Sequence, residues 1–252
     1  MGSKSQRVNI IHISDIRIGR QLTIKVKLMN IRRKQAVTGF LWRRYFQAID
    51  RINRNPINRK FAIENKNVPI FTDRSKHWRY LYHGILQDKP IDYLEFGVFK
   101  GDSLREWSNL SISRESRFFG FDTFNGLPEY WFKEFGKGAF DVSDDIPRFT
   151  DGRVSLIKGL FQDTLDNFLK DYQRKNTMVV HIDADLYSST LFVLVSLHHY
   201  FMAGDIIMFD DFLDPLGEFK AFSDYCQAFR VKPTIVSAVK YGHLFDKTAF
   251  IL

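Results

Sequence analysis

Short apolar runs alternate with helix-forming segments from about residue 72 to the end of the sequence. The runs are rich in Val, Ile, Leu and Phe and have the length of strands, while the segments between them have helical periodicity. Strands that alternate with helices in this way form a parallel sheet with helices on both faces. The sequence therefore predicts an α/β fold with a doubly wound, mostly parallel sheet, in which two consecutive runs at the end predict a reversed C-terminal edge strand.

The predicted elements follow one another closely. Strands are expected at 91–96, 118–121, 154–157, 178–182, 205–209, 234–239 and 248–252. Helices are expected at 73–87, from 102 onward, and at 164–171, 188–201 and 215–229. In such a sheet the parallel strands end at one edge, which is where ligands bind.

The N-terminal part of the chain differs from the rest in charge. Residues 1–60 contain 15 Lys and Arg against 2 acidic residues, although the whole chain carries only +8. We therefore divide the sequence into a basic N-terminal extension, residues 1–70, and a second domain, residues 71–252. Within the extension the patterns favour a hairpin at 8–28 and an amphipathic helix at 36–53.

Several partners would suit a basic extension of this kind. It could cover a second subunit in a homo-oligomer, or contact an anionic substrate or an anionic membrane surface. A solvated extension without a binding role explains the charge equally well. Nucleic acid is disfavoured, because no aromatic RNA-binding signature accompanies the charge.

Composition narrows the class of protein. Hydrophobic residues make up 44% of the chain and aromatic residues 15%, which excludes a disordered or fibrous protein. Cys226 is the only cysteine, so an intrachain disulfide is excluded and a reducing compartment is expected. No apolar run approaches the ~18 residues of a membrane span. We expect a cytoplasmic protein, with residues 1–60 as the segment that could attach it peripherally to a membrane.

Two acidic pairs close two successive predicted strands. One is His181-Ile182-Asp183-Ala184-Asp185 and the other is Phe209-Asp210-Asp211-Phe212. Carboxylates brought together at one sheet edge repel one another unless a cation joins them, and oxygen ligands suit Mg²⁺ or Ca²⁺ better than zinc. Helix capping would explain one acid of each pair but not four, so the sequence predicts a site for a hard divalent cation.

A glycine-containing turn ends the first strand of the second domain, in the segment Glu95-Phe96-Gly97-Val98-Phe99-Lys100-Gly101-Asp102-Ser103. Glycines let the backbone approach a ligand, and the start of the next helix presents free N–H groups. The turn is not the dinucleotide fingerprint, because Phe99 stands at the middle glycine position. Asp122, at the end of the next strand, can accept hydrogen bonds from both ribose hydroxyls of a nucleoside.

Five motifs in this order resemble one known family. They read ExGxxxG, FDTFNGLPE, KGLFQDT, HIDADLYSST and GDIIMFDDF. The sequence is similar over about residues 72–252 to the macrocin O-methyltransferase family. Its members are S-adenosylmethionine-dependent enzymes of the class I methyltransferase, Rossmann-like fold, and they methylate sugar hydroxyls in a metal-dependent way. The resemblance implies that residues 71–252 form a methyltransferase domain.

The resemblance also implies roles for individual residues. The turn that holds the methionine part of the cofactor is matched by Glu95, Gly97, Gly101 and Ser103. Asp122 matches the ribose acid, and the loop that passes the adenine is matched by Gln162 and Asp163. The metal ligands, with Mg²⁺ as the expected ion, are matched by Asp183, Asp210 and Asp211. Asp185 matches the general base, which would remove the proton from a metal-bound sugar hydroxyl.

Two other functions remain open at this point. Asp183-Ala184-Asp185 is also an Asp-x-Asp pattern of the kind with which glycosyltransferases bind a metal and a nucleotide sugar. A non-catalytic cofactor-binding protein, attached through its basic extension, is the second alternative. The glycine turn and Asp122 upstream argue against the first, and the four intact acids argue against the second.

Overall fold

The computed structural model describes residues 59–131, 135–212, 214, 216–241 and 244–252. The hairpin at 8–28 and the helix at 36–53 expected from the sequence lie outside these residues. Residues 59–64 are helical. Within the described ranges no helix combines the length and the apolar character that crossing a membrane requires.

An eight-stranded sheet forms the centre of the described residues. Its strands are β1 (Ile70–Phe71), β2 (Ile91–Phe96), β3 (Arg117–Asp122), β4 (Val154–Lys158), β5 (Thr177–Ile182), β6 (Ile206–Phe209), β7 (Thr234–Tyr241) and β8 (Leu244–Ile251), in the order β1-β7-β8-β6-β5-β2-β3-β4. All neighbours are parallel except that β8 runs antiparallel to both β6 and β7. The mostly parallel sheet with a reversed C-terminal strand is confirmed. Because β8 is paired on both sides, the sheet continues past it through β7 and β1.

In addition to the helical residues 59–64, five helices of the described residues connect or flank the strands. They are α1 (Arg74–Arg79), which continues as the π-helix Tyr80–Ile85, α2 (Asp102–Leu110), α3 (Phe161–Asp171), α4 (Tyr187–Leu197), which continues as the 3₁₀ turn His198–Tyr200, and α5 (Glu218–Phe229). Helix α3 begins almost one turn earlier than predicted, since the extended residue Leu160 precedes its first turn. Gln162 and Asp163 therefore lie on the helix and not in the expected loop.

The sheet is buried on both faces. On one face Leu94 and Phe96 of β2 pack with apolar side chains of α3, α4 and α5. On the other face Ile91 and Tyr93 of the same strand pack with side chains of α1 and α2, including Trp107. Successive residues of a strand point to opposite faces, so a strand covered on both sides is apolar along most of its length. The carboxyl edge of the sheet, where the strands end in loops, is where a ligand can bind.

Hydrogen bonds of the sheet continue past the strand ends into the loops of that edge. The N–H of Gly97 donates to the carbonyl of Phe121, and the N–H of Asp183 donates to the carbonyl of Phe96, both at 2.9 Å. The N–H of Asp210 donates to the carbonyl of Ile182 at the same distance. The glycine turn and both acidic pairs thus begin in register with a neighbouring strand, which fixes their backbones before any ligand binds.

Candidate active site

One cavity of about 290 Å³ opens at the carboxyl edge of β2, β3, β5 and β6. At one end it is lined by residues of the glycine turn, the second strand end and α3, namely Gly97, Phe99, Asp122, Thr123, Phe161 and Gln162. At the other end it is lined by Asp183, Ala184, Asp185, Ser189 and Asp211. Its volume is close to the lower end of the range of about 300–1,000 Å³ that is typical of small-molecule pockets. The structure therefore brings the predicted ribose acid and the predicted acidic site into one cavity.

Asp122 is held by three main-chain N–H groups. Its Oδ2 accepts from Val98 and Phe99, each at 2.8 Å, and its Oδ1 accepts from Phe124 at 2.7 Å. An ionised carboxylate has about four acceptor positions. Asp122 therefore shapes the glycine turn, and it retains acceptor capacity for about one ribose hydroxyl, where the sequence suggested two.

Glu95 and Ser103 lie beneath the glycine turn and do not line the cavity. Glu95 is fully buried, and its carboxylate accepts hydrogen bonds from Ser103 Oγ at 2.5 Å and from the Tyr93 hydroxyl at 2.8 Å. Asp163 is exposed in the first turn of α3, and it does not line the cavity either. In this structure Glu95 and Ser103 support the turn from below.

Gly97 is required by the neighbouring loop as well as by any ligand. It has φ of +98°, and a Cβ atom built on it would lie 1.8 Å from the main-chain carbonyl oxygen of Asp183. A side chain at this position would separate the turn after β2 from the loop after β5. The glycine therefore allows the cofactor turn and the acidic loop to lie against each other.

Three of the predicted acids converge at the far end of the cavity. Carboxylate oxygens of Asp183, Asp185 and Asp211 lie within 4.8 Å of one another. Burial and the charge of Asp210 raise the pKa of Asp183 well above its usual range. Burial and the charge of Asp183 raise the pKa of Asp185 to about 9, and burial raises that of Asp211. Such a cluster resists full ionisation unless a positive charge joins it.

Asp210 is the predicted acid that stands apart from this cluster. Its Oδ2 lies 2.8 Å from Nζ of Lys247 on β8, and its Oδ1 lies 3.7 Å from Nε2 of His181. Burial would raise the pKa of Asp210, but the His181 contact and the Lys247 charge outweigh it and lower this pKa below its usual range. Asp210 is thus held as an anion by side chains of the protein.

His181 links the residues that support the glycine turn to the second acidic pair. The ring is buried, its Nδ1 lies 2.8 Å from the Tyr93 hydroxyl, and its Nε2 faces Asp210. Burial opposes its charge, but the contacts with Asp210 and Glu95 prevail and raise the pKa of His181 to about 10. His181 is therefore a buried, hydrogen-bonded histidine.

Aromatic side chains form the wall between the two ends. Phe99, Trp131 and Phe140 line the cavity together with Leu127 and Pro128. Trp131 Nε1 donates to Asp214 Oδ2 at 3.2 Å, which joins the long β3–β4 connection to the loop before α5. Tyr187, another candidate wall residue, instead donates its hydroxyl hydrogen bond to Asp224 on α5.

Glu218 and Lys247 are residues of this site that the sequence did not reveal. Glu218 is the first residue of α5, and its carboxylate accepts from the main-chain N–H groups of Ala184 and Asp211, each at 3.0 Å. The contact with Ala184 spans 34 residues of the chain, and neither Glu218 nor Lys247 belongs to a recognised motif. In the sequence, only the position of Glu218 indicated a role in the site, because an acid in the first turn of a helix next to a ligand-binding edge is a candidate for such a role.

The sequence of residues 70–246 matches the macrocin-O-methyltransferase (TylF) family. Among solved structures, the fold is shared with the calicheamicin methyltransferase CalS11, at 20% identity over 90% of this chain and 94% of that chain, with a TM-score of 0.56. It is also shared with the O-methyltransferase NovP, at 19% identity over 71% of this chain and 78% of that chain, with a TM-score of 0.52. No protein of curated function matches the sequence significantly.

These matches agree with the geometry at the sheet edge. The structural likenesses show the class I methyltransferase fold, and the family match spans the glycine turn, the ribose acid and both acidic pairs. The chain belongs to the macrocin O-methyltransferase family and is an S-adenosylmethionine-dependent O-methyltransferase.

Proposed function

We propose that the chain transfers a methyl group from S-adenosylmethionine to a hydroxyl of a sugar or of a glycosylated small molecule, with the help of a divalent cation, most simply Mg²⁺. The observation that carries this proposal is the single cavity that joins Asp122 and Gly97 to the three carboxylates. A donor held at one end and an acceptor held at the other would meet without crossing solvent, and such positioning lowers the barrier to transfer. A sugar acceptor is supported by CalS11, which is described as a TDP-rhamnose 3'-O-methyltransferase.

The carboxylate oxygens at the far end of the cavity suit a hard divalent cation. Three carboxylate oxygens within 4.8 Å of one another offer the oxygen ligands that Mg²⁺ prefers. When bound, the ion would lower the pKa of a coordinated acceptor hydroxyl. Asp183 and Asp211 are the ligands on which the family motif and the geometry agree. For the third position the motif favours Asp210, while the geometry favours Asp185.

Asp185 is the proposed general base. It lines the cavity beside Asp183, and 8% of its surface is exposed. A carboxylate in this position can take the proton from an acceptor hydroxyl, which is worth about 10²- to 10⁴-fold in rate. Burial and like-charge repulsion both raise the pKa of Asp185, and a positive charge shared by Asp183 and Asp211 would oppose these effects and favour the ionised form for this step.

The walls of the cavity limit the chemistry of the acceptor. Among the described residues that line it there is no Lys or Arg, and the polar end carries acidic groups. Phe99, Trp131 and Phe140 offer flat apolar surfaces, on which the C–H face of a sugar ring can pack. These walls therefore disfavour an anionic group on the part of the acceptor inside the cavity. An anionic acceptor, suggested by the basic residues 1–60, would carry its charge outside the cavity.

Calorimetric titration and a methyl-transfer assay test the proposal. Wild-type protein should bind S-adenosylmethionine and Mg²⁺, and Asp183→Asn should lose at least about 10³-fold in turnover while its affinity for the donor changes less than about twofold. Asp166→Asn, an exposed acid of α3, is the control for removing one negative charge. If Asp183→Asn lost donor affinity instead, the acidic loop would belong to the cofactor site.

The third metal ligand is decided by a second pair of variants. If Asp185 is the base, Asp185→Asn binds Mg²⁺ almost as well as wild type but does not turn over, whereas Asp210→Asn binds Mg²⁺ more weakly. The reverse result would make Asp185 a ligand. The alternative glycosyltransferase function predicts that a nucleotide sugar binds and that S-adenosylmethionine does not, and that outcome would overturn the proposal as a whole.

A further inference from the structure

Glu218 lies behind the acidic cluster and not in the cavity wall. It is 0% exposed and begins α5, and each of its carboxylate oxygens accepts a different main-chain hydrogen bond. Oε1 accepts from Ala184, the residue between Asp183 and Asp185, and Oε2 accepts from Asp211, each at 3.0 Å. One side chain therefore bridges the loop after β5 and the loop after β6.

The residue before it packs equally closely on the same loop. A Cβ atom on Gly217 would lie 2.7 Å from the main-chain carbonyl oxygen of Asp185 and 2.8 Å from Asp214 Oδ2. The start of α5 thus touches the β5 loop through both Gly217 and Glu218. Because of this close packing, Glu218 has little freedom to move away from the main-chain N–H groups of Ala184 and Asp211.

The bridge acts against a force that the cluster itself creates. Asp183, Asp185 and Asp211 carry like charges within 4.8 Å, so the two loops are driven apart when these acids ionise. The two hydrogen bonds that Glu218 accepts from Ala184 and Asp211 hold the loops together against this repulsion.

We propose that Glu218 is a positioning residue of the metal site, which sets the separation of the two acidic loops through its hydrogen bonds with the main chain of Ala184 and Asp211. This inference rests on the proposed function, because it assumes that the cluster binds a divalent ion. Residues that orient metal ligands without touching the metal commonly change metal affinity by about 10- to 100-fold when they are replaced.

The decisive variant is Glu218→Gln. Glutamine has the same size but only one acceptor oxygen, so its NH₂ group must face one of the two N–H donors and one loop loses its bridge. We expect the dissociation constant for Mn²⁺, titrated calorimetrically into the full chain, to rise at least about tenfold, while the affinity for S-adenosylmethionine changes less than about twofold. Saturating Mn²⁺ should restore most of the turnover.

Stability separates a positioning role from a merely structural one. Replacing Glu218 by Gln removes a hydrogen bond and also removes an acidic group that is buried beside three other acids, and these effects oppose each other. The urea midpoint in the presence of a chelator should therefore remain near that of wild type while metal affinity falls. Asp166→Asn, which removes an exposed acid of α3, is the control and should change neither quantity.

Two outcomes would overturn the inference, and they are distinguishable. If wild type binds Mn²⁺ and folded Glu218→Gln binds it equally well, Glu218 has no positioning role, although the proposed function stands. If wild type binds no divalent ion, the metal site fails and the inference fails with it. Should Glu218→Gln not fold, Glu218→Asp is judged by the same criterion, since its shorter side chain cannot reach both loops.

Discussion

The ammonium group of Lys247 lies 2.8 Å from Oδ2 of Asp210, and it also contacts the main-chain carbonyl oxygen of Asp210 at 3.2 Å. Lys247 belongs to the reversed strand β8, and Asp210 follows β6, its antiparallel neighbour. The side chains of both are mostly buried, with exposed fractions of 18% and 14%. The reversed strand therefore supplies the positive charge nearest to the acidic edge, and it determines which of the four acids is free to meet a ligand.

We expect Lys247→Met to destabilise the protein in the presence of a chelator. It leaves Asp210 buried beside other acids without its cation, and breaking such a pair at this depth costs about 2–4 kcal/mol. Lys220→Met is the control, because Lys220 pairs with Asp224 at the surface, where a salt bridge is worth less than about 1 kcal/mol. Urea unfolding at neutral pH measures both. Equal losses in the two variants would show that Asp210 does not depend on Lys247.

Gly97→Ala should damage both ends of the site at once. Alanine is strained at a φ of +98°, and its methyl group would overlap the carbonyl of Asp183, so the free energy of unfolding should fall by about 3 kcal/mol or more. Affinities for S-adenosylmethionine and for Mg²⁺ should fall together, because the glycine turn and the acidic loop share this contact. Gly152→Ala is the control, since no atom lies within 4 Å of a Cβ there. Loss of donor affinity alone would mean that the two loops are independent.

Much of the sheet and of the cavity could be predicted from local sequence. Strands such as β2 and β5 are apolar runs that end in polar residues, and acids at adjacent parallel strand ends must come together. For this reason all four acids of the two pairs were expected near one another. Asp183, Asp185 and Asp211 are found so, whereas Asp210 pairs with Lys247. The start of α3 was placed almost one turn too late, because Thr164 resembles a capping residue but instead donates its side-chain hydrogen bond to the carbonyl of Leu160 inside the helix.

The contacts that position the acids of the two pairs could not be predicted from the sequence. Lys247 lies 37 residues from Asp210 in sequence, and Glu218 lies 34 residues from Ala184. Neither spacing is periodic, so each contact depends on how β8 and α5 pack against the sheet. The same holds for Asp122, where three N–H groups from two different loops use most of the acceptor capacity that a nucleoside was expected to fill.

Trp131 should affect the acceptor more than the donor. Trp131→Ala removes part of the aromatic wall and the hydrogen bond to Asp214, and the lost apolar contact should raise the acceptor KM at least about tenfold. Trp131→Phe keeps a ring and should fall between Ala and wild type. Tyr130→Ala is the control, because the neighbouring Tyr130 is 77% exposed. If steady-state kinetics showed a rise in the KM for S-adenosylmethionine instead, this wall would cover the cofactor.

His77 should make the stability of the protein depend on pH in the acid range. Burial and the nearby His181 lower the pKa of His77 to about 4, while an unfolded histidine titrates near 6.5. Between these pH values the His77 side chain is protonated in the unfolded chain but neutral in the folded protein. The stability of the fold therefore falls as pH is lowered from about 6.5 towards 4. At pH 5 the loss of stability relative to pH 8 is about 2 kcal/mol from this group alone.

The variant His77→Gln should lack this part of the pH dependence. Its amide can still reach the Ser237 hydroxyl, which His77 Nε2 contacts at 2.8 Å. Urea midpoints at pH 5, 6, 7 and 8 compare the two proteins, and parallel pH profiles would show that His77 is protonated as easily in the folded state as in the unfolded one.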